Sequence, residues 1–262
     1  MTDQPAIKLL CLDLDGTMVE SAGLHVWPSD DVVAALNKLG ERGVRWCTNS
    51  GRSADNQAGM IQATRSLSNL PIAILSGERF IHLADPPYYV PLESFNTAMQ
   101  RRMDALFPVM VEAVEPHRQR LREQFDFRVE GTANEVIGWN LTNQSQADGF
   151  IGELEGILRD VPDVQILRNG AWIILTHVDA GKGKTLSVLL EREGISPEQV
   201  LAIGDHLNDL DMLDGSAAKY VGCPADAHPR VKEVVTKAGG MVSSRDAHRG
   251  TLEIIDHYIG LD

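Results

Sequence analysis

The chain has 262 residues, 43% of them hydrophobic, and 37 acidic against 24 basic side chains give a formal charge of -13. That length holds one large domain or two smaller ones, and the charge repels polyanions, which excludes nucleic acid and anionic membrane surfaces as partners. Cys11, Cys47 and Cys223 are too scattered for a disulfide framework or a zinc site and read as reduced core residues; with no leader-like N-terminus and no membrane-length apolar run, the expectation is a cytoplasmic protein.

Ile7, Leu9, Leu10, Leu12 and Leu14 mark a strand over 7–14. Ser29, followed by Asp30 and Asp31, marks the N-cap of a helix over 29–39 that Gly40 and Gly43 close. A strand over 44–48, a helix over 53–67 and a strand over 72–75 complete an alternation that predicts a parallel sheet flanked by helices. Over 86–176 the rhythm changes to one or two long helices over 92–124, strands over 127–130 and 136–142, a helix over 146–159, and strands over 164–167 and 172–176. Paired strands with helices to one side indicate an α+β module. Trp139 and Trp172 read as its core rather than as a stacking platform for sugars. The first rhythm returns with a helix over 184–193, a Ser196-Pro197-Glu198 turn, a strand over 200–203 and a helix from 209 onward. The expected fold is α/β, with a core of 1–82 and 177–262 interrupted by an α+β domain over 83–176.

A parallel sheet gathers its ligand site at the carboxyl ends of its strands. The first strand runs into Asp13-Leu14-Asp15-Gly16-Thr17 and the second into Thr48-Asn49-Ser50-Gly51-Arg52. After the insertion comes Gly181-Lys182-Gly183-Lys184, and the last of the strands runs into Gly204-Asp205-His206-Leu207-Asn208-Asp209. Two like charges roughly 4 Å apart repel by about 4 kcal/mol at an effective dielectric of about 20, so such carboxylates need cations. Asp13, Asp15 and Asp205 offer hard oxygen ligands to Mg²⁺, an ion that takes one or two carboxylates, waters and a substrate phosphate. Thr48 and the amides after it suit phosphoryl oxygens at a helix start, and Lys182 adds positive charge. His206 reads as a hydrogen-bonded loop residue among oxygen ligands, and His177, His228 and His248 take no role.

These four motifs, DLDGT, a Thr/Ser-bearing strand end, a Gly-Lys-Gly-Lys segment and GDHLND, resemble in identity and order those of the haloacid dehalogenase-like superfamily of phosphohydrolases. The insertion between the second and third resembles, in position and length, the type-II cap of the Cof-like and sucrose-phosphatase-like branch. The resemblance implies a Rossmann-like core with a cap, Asp13 as a nucleophile that forms an aspartyl phosphate, and Asp15 as general acid and then base. It also implies a Mg²⁺ shell of Asp13, Asp205 and the backbone carbonyl of Asp15, with Asn208 and Asp209 orienting that shell and its lysine. Phosphate contacts would come from Thr48, Asn49, Ser50, Lys182 and Asn208. Many relatives read TGR where this chain reads TNSGR, which leaves Thr48 and Ser50 as alternatives; Thr48 is preferred because it follows the apolar strand directly.

The expected function is Mg²⁺-dependent hydrolysis of a small phosphomonoester, a sugar or sugar-acid phosphate, by a monomer or homodimer. The short segment between Asp15 and Asp30 leaves no room for a cap there, so the later insertion would cover the pocket, with Glu130, Asn140, Asn143 and Arg168 as candidate specificity residues. Two alternatives stand beside it: a phosphotransferase or phosphomutase using the same aspartyl phosphate, and a receiver-like phosphoaspartate switch, whose domains are about half this length.

Overall fold

The structure is a computed structural model that describes residues 6–20, 27–130 and 137–261. The chain runs β1 (Leu9–Leu12), α1 (Asp30–Glu41), β2 (Arg45–Ser50), α2 (Ala54–Ala63), β3 (Ala73–Ser76), β4 (Phe80–Asp85) and β5 (Tyr88–Pro91). It continues through α3 (Glu93–Val114), α4 (Arg118–Gln124), β6 (Phe127–Glu130), β7 (Ile137–Leu141), α5 (Gln144–Ile157), β8 (Val164–Asn169) and β9 (Trp172–His177). It closes with α6 (Lys182–Glu193), β10 (Val200–Ile203), α7 (Leu210–Leu213), β11 (Tyr220–Cys223), α8 (Pro229–Lys237), β12 (Met241–Val242) and α9 (Ala247–Ile259). Two compact units result, one of residues 1–93 and 181–262, the other of 94–180.

The first unit is built on an eight-stranded sheet of order β12-β11-β10-β1-β2-β3-β4-β5, parallel from β12 to β3 and antiparallel beyond. Strands covered on both faces need apolar residues at every position rather than at alternate ones, and β1 is fully buried along its whole length. Side chains such as Leu10, Leu12, Trp46 and Ile74 pack with Val32, Leu36 and Leu39 of α1 and Ile254 and Ile255 of α9, each large aliphatic chain contributing on the order of 2 kcal/mol. From β1 the chain proceeds outward through β2 and β3, then returns to the other side through β10, β11 and β12. The reversal at β1 opens a crevice at its carboxyl end, where such sheets take ligands.

The second unit is a four-stranded antiparallel sheet of order β6-β7-β9-β8. Phe150 of α5 packs against Phe125, Phe127 and Trp139 with ring centroids 5.3, 5.2 and 5.2 Å away, so Trp139 is core, as its place in a strand pattern suggests. Trp172 is half-buried, and its indole N–H has no partner among the described residues. No helix among the described residues is long and apolar enough to cross a membrane.

The stretch over 92–124, open in the sequence between one helix and two, is two helices parted by a one-turn 3-10 segment at Glu115–His117, because Pro116 has no N–H to continue the ladder. Three differences from the sequence reading have local causes. The hairpin of β4 and β5 extends the first sheet, so the units divide after 93 and 180 rather than after 82 and 176. Helix α2 stops at Ala63, capped at its start by Ser53, whose hydroxyl accepts from Asn56 N. Ser29 stands at the N-cap position of α1, yet its hydroxyl donates to Asp31 Oδ1 instead of capping a backbone amide.

Candidate active site

Asp13 follows β1 directly, its N–H donating to Ile203 O (3.0 Å) and so extending the ladder to β10 by one step. Successive strand side chains alternate faces, which sends Asp13 to the side of Cys11. There it meets Lys182 at the start of α6: Nζ donates to Asp13 Oδ1 at 2.6 Å and to Asp209 Oδ1 at 2.5 Å, and Lys182 is fully buried. Asp209 uses its other oxygen to accept from the N–H groups of Asp205 (3.0 Å) and His206 (2.9 Å), which closes the loop after β10 into a fixed shape. Thr17 donates to Asp205 Oδ1 at 3.0 Å. Gly16 makes this approach possible: its φ of +78° suits glycine, and a Cβ there would collide with the Asp205 carboxylate. Gly183 is equally confined, since a Cβ would strike the backbone carbonyl of Asp211, whose carboxylate accepts from Gly183 N at 2.9 Å.

Asp13, Asp205 and Asp209 bring carboxylate oxygens within 4.8 Å of one another. Burial raises the Asp13 carboxyl well above the usual carboxylate range; Lys182 opposes this, while Asp209 and Asp205 add to it. Burial likewise pushes Asp205 up to about 7, with Asp209 adding to the rise. Burial alone would lower Lys182, but Asp13, Asp209 and Glu78 outweigh it and hold the ammonium above its ordinary value. Four carboxylates, those of Asp13, Asp205, Asp209 and Glu78, surround this single ammonium. Asp13 and Asp205 bring carboxylate oxygens within 4.8 Å of each other, a buried approach that two ionised groups tolerate only with a proton or a cation between them. Clustered hard oxygens with surplus negative charge fit a divalent ion of the magnesium type, and do not suit a soft one.

The carboxylate of Asp15 is not in this cluster, contrary to the first reading of three carboxylates around one ion. It is held by Arg52, whose Nε and Nη2 donate to its two oxygens at 2.8 and 2.5 Å. Register decides where the hydroxyls of the second motif point. Leu12 pairs with Thr48, so Thr48 shares the face of Leu12, opposite Asp13, and its Oγ1 has no partner among the described residues. Ser50 stands two residues further along, at the lip of the sheet beside Gly51 and Arg52, with Oγ accepting from Arg52 N at 3.3 Å.

The side-chain amides of Asn49 and Asn208, read as phosphate contacts, each have a partner in the scaffold. Asn49 Nδ2 donates to Lys182 O at 2.8 Å, and Asn208 Nδ2 to Glu78 Oε1 at 2.7 Å. Glu78, at φ +60° in the turn between β3 and β4, also accepts from Gly181 N through its backbone carbonyl (2.7 Å), tying that turn to the start of α6. Sequence reading missed both Glu78 and Arg52. Nothing local marks Glu78; Arg52 closes the TNSGR motif, yet the motif alone assigns it no role.

Candidate specificity residues in the second unit have structural partners. Asn143 is the N-cap of α5, accepting from Gln146 N at 2.9 Å. Arg168 pairs with Asp148 and donates to Gly170 O (2.8 Å) and Gln144 O (3.0 Å). Asn140 is exposed on β7 opposite Trp172, and the Glu130 side chain lies outside the described residues. His206 stays out of the acidic cluster, its ring 5.6 Å from that of His228.

Comparison with known proteins agrees with this geometry. A profile of haloacid dehalogenase-like hydrolases matches residues 109–247, just over half of the chain. The chain is 36% identical over 103 residues to the phosphoglycolate phosphatase of Methanothermobacter thermautotrophicus, covering 39% of this chain and 43% of that protein. That alignment spans less than half of either protein. With the phosphoglycolate phosphatase of Aeropyrum pernix the identity is 25% over 261 residues, 97% of this chain and 95% of that protein. The sucrose-phosphatase of Synechocystis, solved with sucrose and phosphate, shares the fold at a TM-score of 0.72 and 18% identity, over 97% of this chain and 98% of that one.

Proposed function

Because the chain belongs to the haloacid dehalogenase-like hydrolases, we propose that this phosphatase hydrolyses a small phosphomonoester through an aspartyl phosphate on Asp13, with Mg²⁺ as its ion. The observation that carries the reading is the placement of Asp13 at the sheet's reversal, gripped by buried Lys182 and facing Asp205. A carboxylate so fixed has no conformational search left to make before it attacks. Asp13 and Asp205, with the backbone carbonyl of Asp15, would hold the ion, which when bound supplies the positive charge that lets a phosphate dianion approach an aspartate. Asp209 positions Lys182 and the loop of Asp205.

In the first half-reaction an Asp13 oxygen bonds to phosphorus as the ester P–O bond breaks, and Asp15 gives its proton to the departing alcohol oxygen. In the second, Asp15 takes a proton from water as that water attacks phosphorus and releases Asp13 and inorganic phosphate. Thr48 and Ser50, two residues apart on one face of β2, are both candidates for the phosphoryl-binding hydroxyl. Phosphorylated sugars and sugar acids are the substrate class we favour, with phosphoglycolate among them because relatives bear that name. The second unit, inserted as type-II caps are, is the expected source of specificity.

Asp13→Asn is expected to cut phosphate release from such esters by at least about a thousandfold while leaving the circular dichroism spectrum and melting temperature intact. Undiminished turnover in that variant, or in wild type stripped of divalent ions, would refute the mechanism. Phosphate appearing in water rather than on a second sugar hydroxyl separates hydrolysis from transfer.

A further inference from the structure

Arg52 holds Asp15 with the two-pronged geometry by which a guanidinium recognises a carboxylate, and Asn56 Oδ1 braces it by accepting from Nη1 at 3.0 Å. That arrangement conflicts with the work assigned to Asp15. A carboxylate held through both oxygens by one guanidinium is fixed in that orientation, so the pair must loosen for Asp15 to turn an oxygen onto a leaving-group oxygen. Opening strands a cation whose side chain is only 16% exposed, which is costly unless another anion takes the vacated place.

On the mechanism proposed above the phosphoryl group would be held at Asp13 and Lys182, whereas Arg52 grips Asp15, the residue that would meet the leaving oxygen. An anion reaching Arg52 therefore belongs to the leaving alcohol. Both side chains of the pair are partly open, 16% and 21%, so exchange requires no rupture of the core.

We propose, resting on the phosphatase reading above, that Arg52 is a carboxylate receptor and that the substrate is the phosphate ester of a short hydroxy acid. Its carboxylate displaces Asp15 from the guanidinium and frees Asp15 to act on the ester oxygen. Asp15 is the resident stand-in for the substrate's own acid group. Since one guanidinium must serve the substrate carboxylate while Asp15 stays close enough to reach the ester oxygen, only a carbon or two separates these groups in the substrate.

The test compares phosphoglycolate with 2-hydroxyethyl phosphate, which has a neutral CH₂OH in place of the carboxylate, in wild type, Arg52→Lys and Arg52→Met with magnesium present. Wild type is expected to favour phosphoglycolate by about tenfold or more in kcat/KM, the range of a charge-assisted pair. Arg52→Met should bring the ratio to about one, chiefly by loss on phosphoglycolate, and Arg52→Lys should keep part of it. If Arg52 merely positions Asp15, Arg52→Met slows both esters alike and keeps the ratio, and the proposal falls. A wild-type ratio near one overturns it without any variant, so a folding defect in Arg52→Met cannot shelter it. Wild type releasing phosphate from neither ester would instead refute the phosphatase reading, and this inference with it.

Discussion

Lys182 shows how much of this site rests on one side chain. Its ammonium is the counter-charge for Asp13 and Asp209, both of them buried, and no water can substitute once it is removed. Lys182→Met is expected to destabilise the metal-free protein by roughly 3–5 kcal/mol, read as a drop in urea midpoint that added magnesium partly restores. Asp205 sets a pH dependence of definite sign. Its carboxyl rises from an ordinary value of 3.8 to about 7, so the folded state binds an extra proton between those limits. That contribution is complete below the unfolded value and is lost as pH climbs through about 7. Metal-free protein should therefore melt at lower temperature as pH is raised from about 5 to about 8, and Asp205→Asn or saturating magnesium should flatten the slope. Asp13 and Lys182 stand out in the sequence because one directly follows an apolar strand and the other opens a glycine-flanked helix, and Asp205 and Asp209 because they lie in the loop that leaves another such strand. Glu78 was invisible, because its worth comes from meeting Asn208, 130 positions away.

At the scale of elements, the long alternating strands and helices were readable because a parallel strand covered on both faces has few ways to be written other than as an unbroken apolar run. The hairpin of β4 and β5 escaped notice although Tyr88, Tyr89 and Val90 after Pro86-Pro87 suit a strand after a turn. Its outer strand is half in solvent, and an exposed edge strand lacks the unbroken apolar run of a buried one. Asn143 makes the opposite point, a polar residue at a strand's end whose task is to cap the helix that follows. Asn143→Ala should cost about 1 kcal/mol in chemical denaturation and leave KM for the phosphate ester unchanged. A rise in KM at constant stability would return it to the list of substrate contacts.

For the molecule as a whole, the insertion was recognisable by its change of rhythm, but its edges were not, because the first sheet takes two further strands before the chain departs and the return runs on to Ala180. The charge of -13 is a property of the surface; within the site the same excess becomes a demand for cations. Placing Asp13, the proposed nucleophile, directly after β1 has a consequence for durability. That strand lies in the middle of the sheet, bonded to β2 on one side and β10 on the other, so the amides of Leu10 and Leu12 should be among the slowest in the protein to exchange with deuterium. Mild denaturant should then fail to loosen the reacting aspartate ahead of the rest: turnover and global structure disappear together, at a common midpoint, and an enzyme that still looks folded still works.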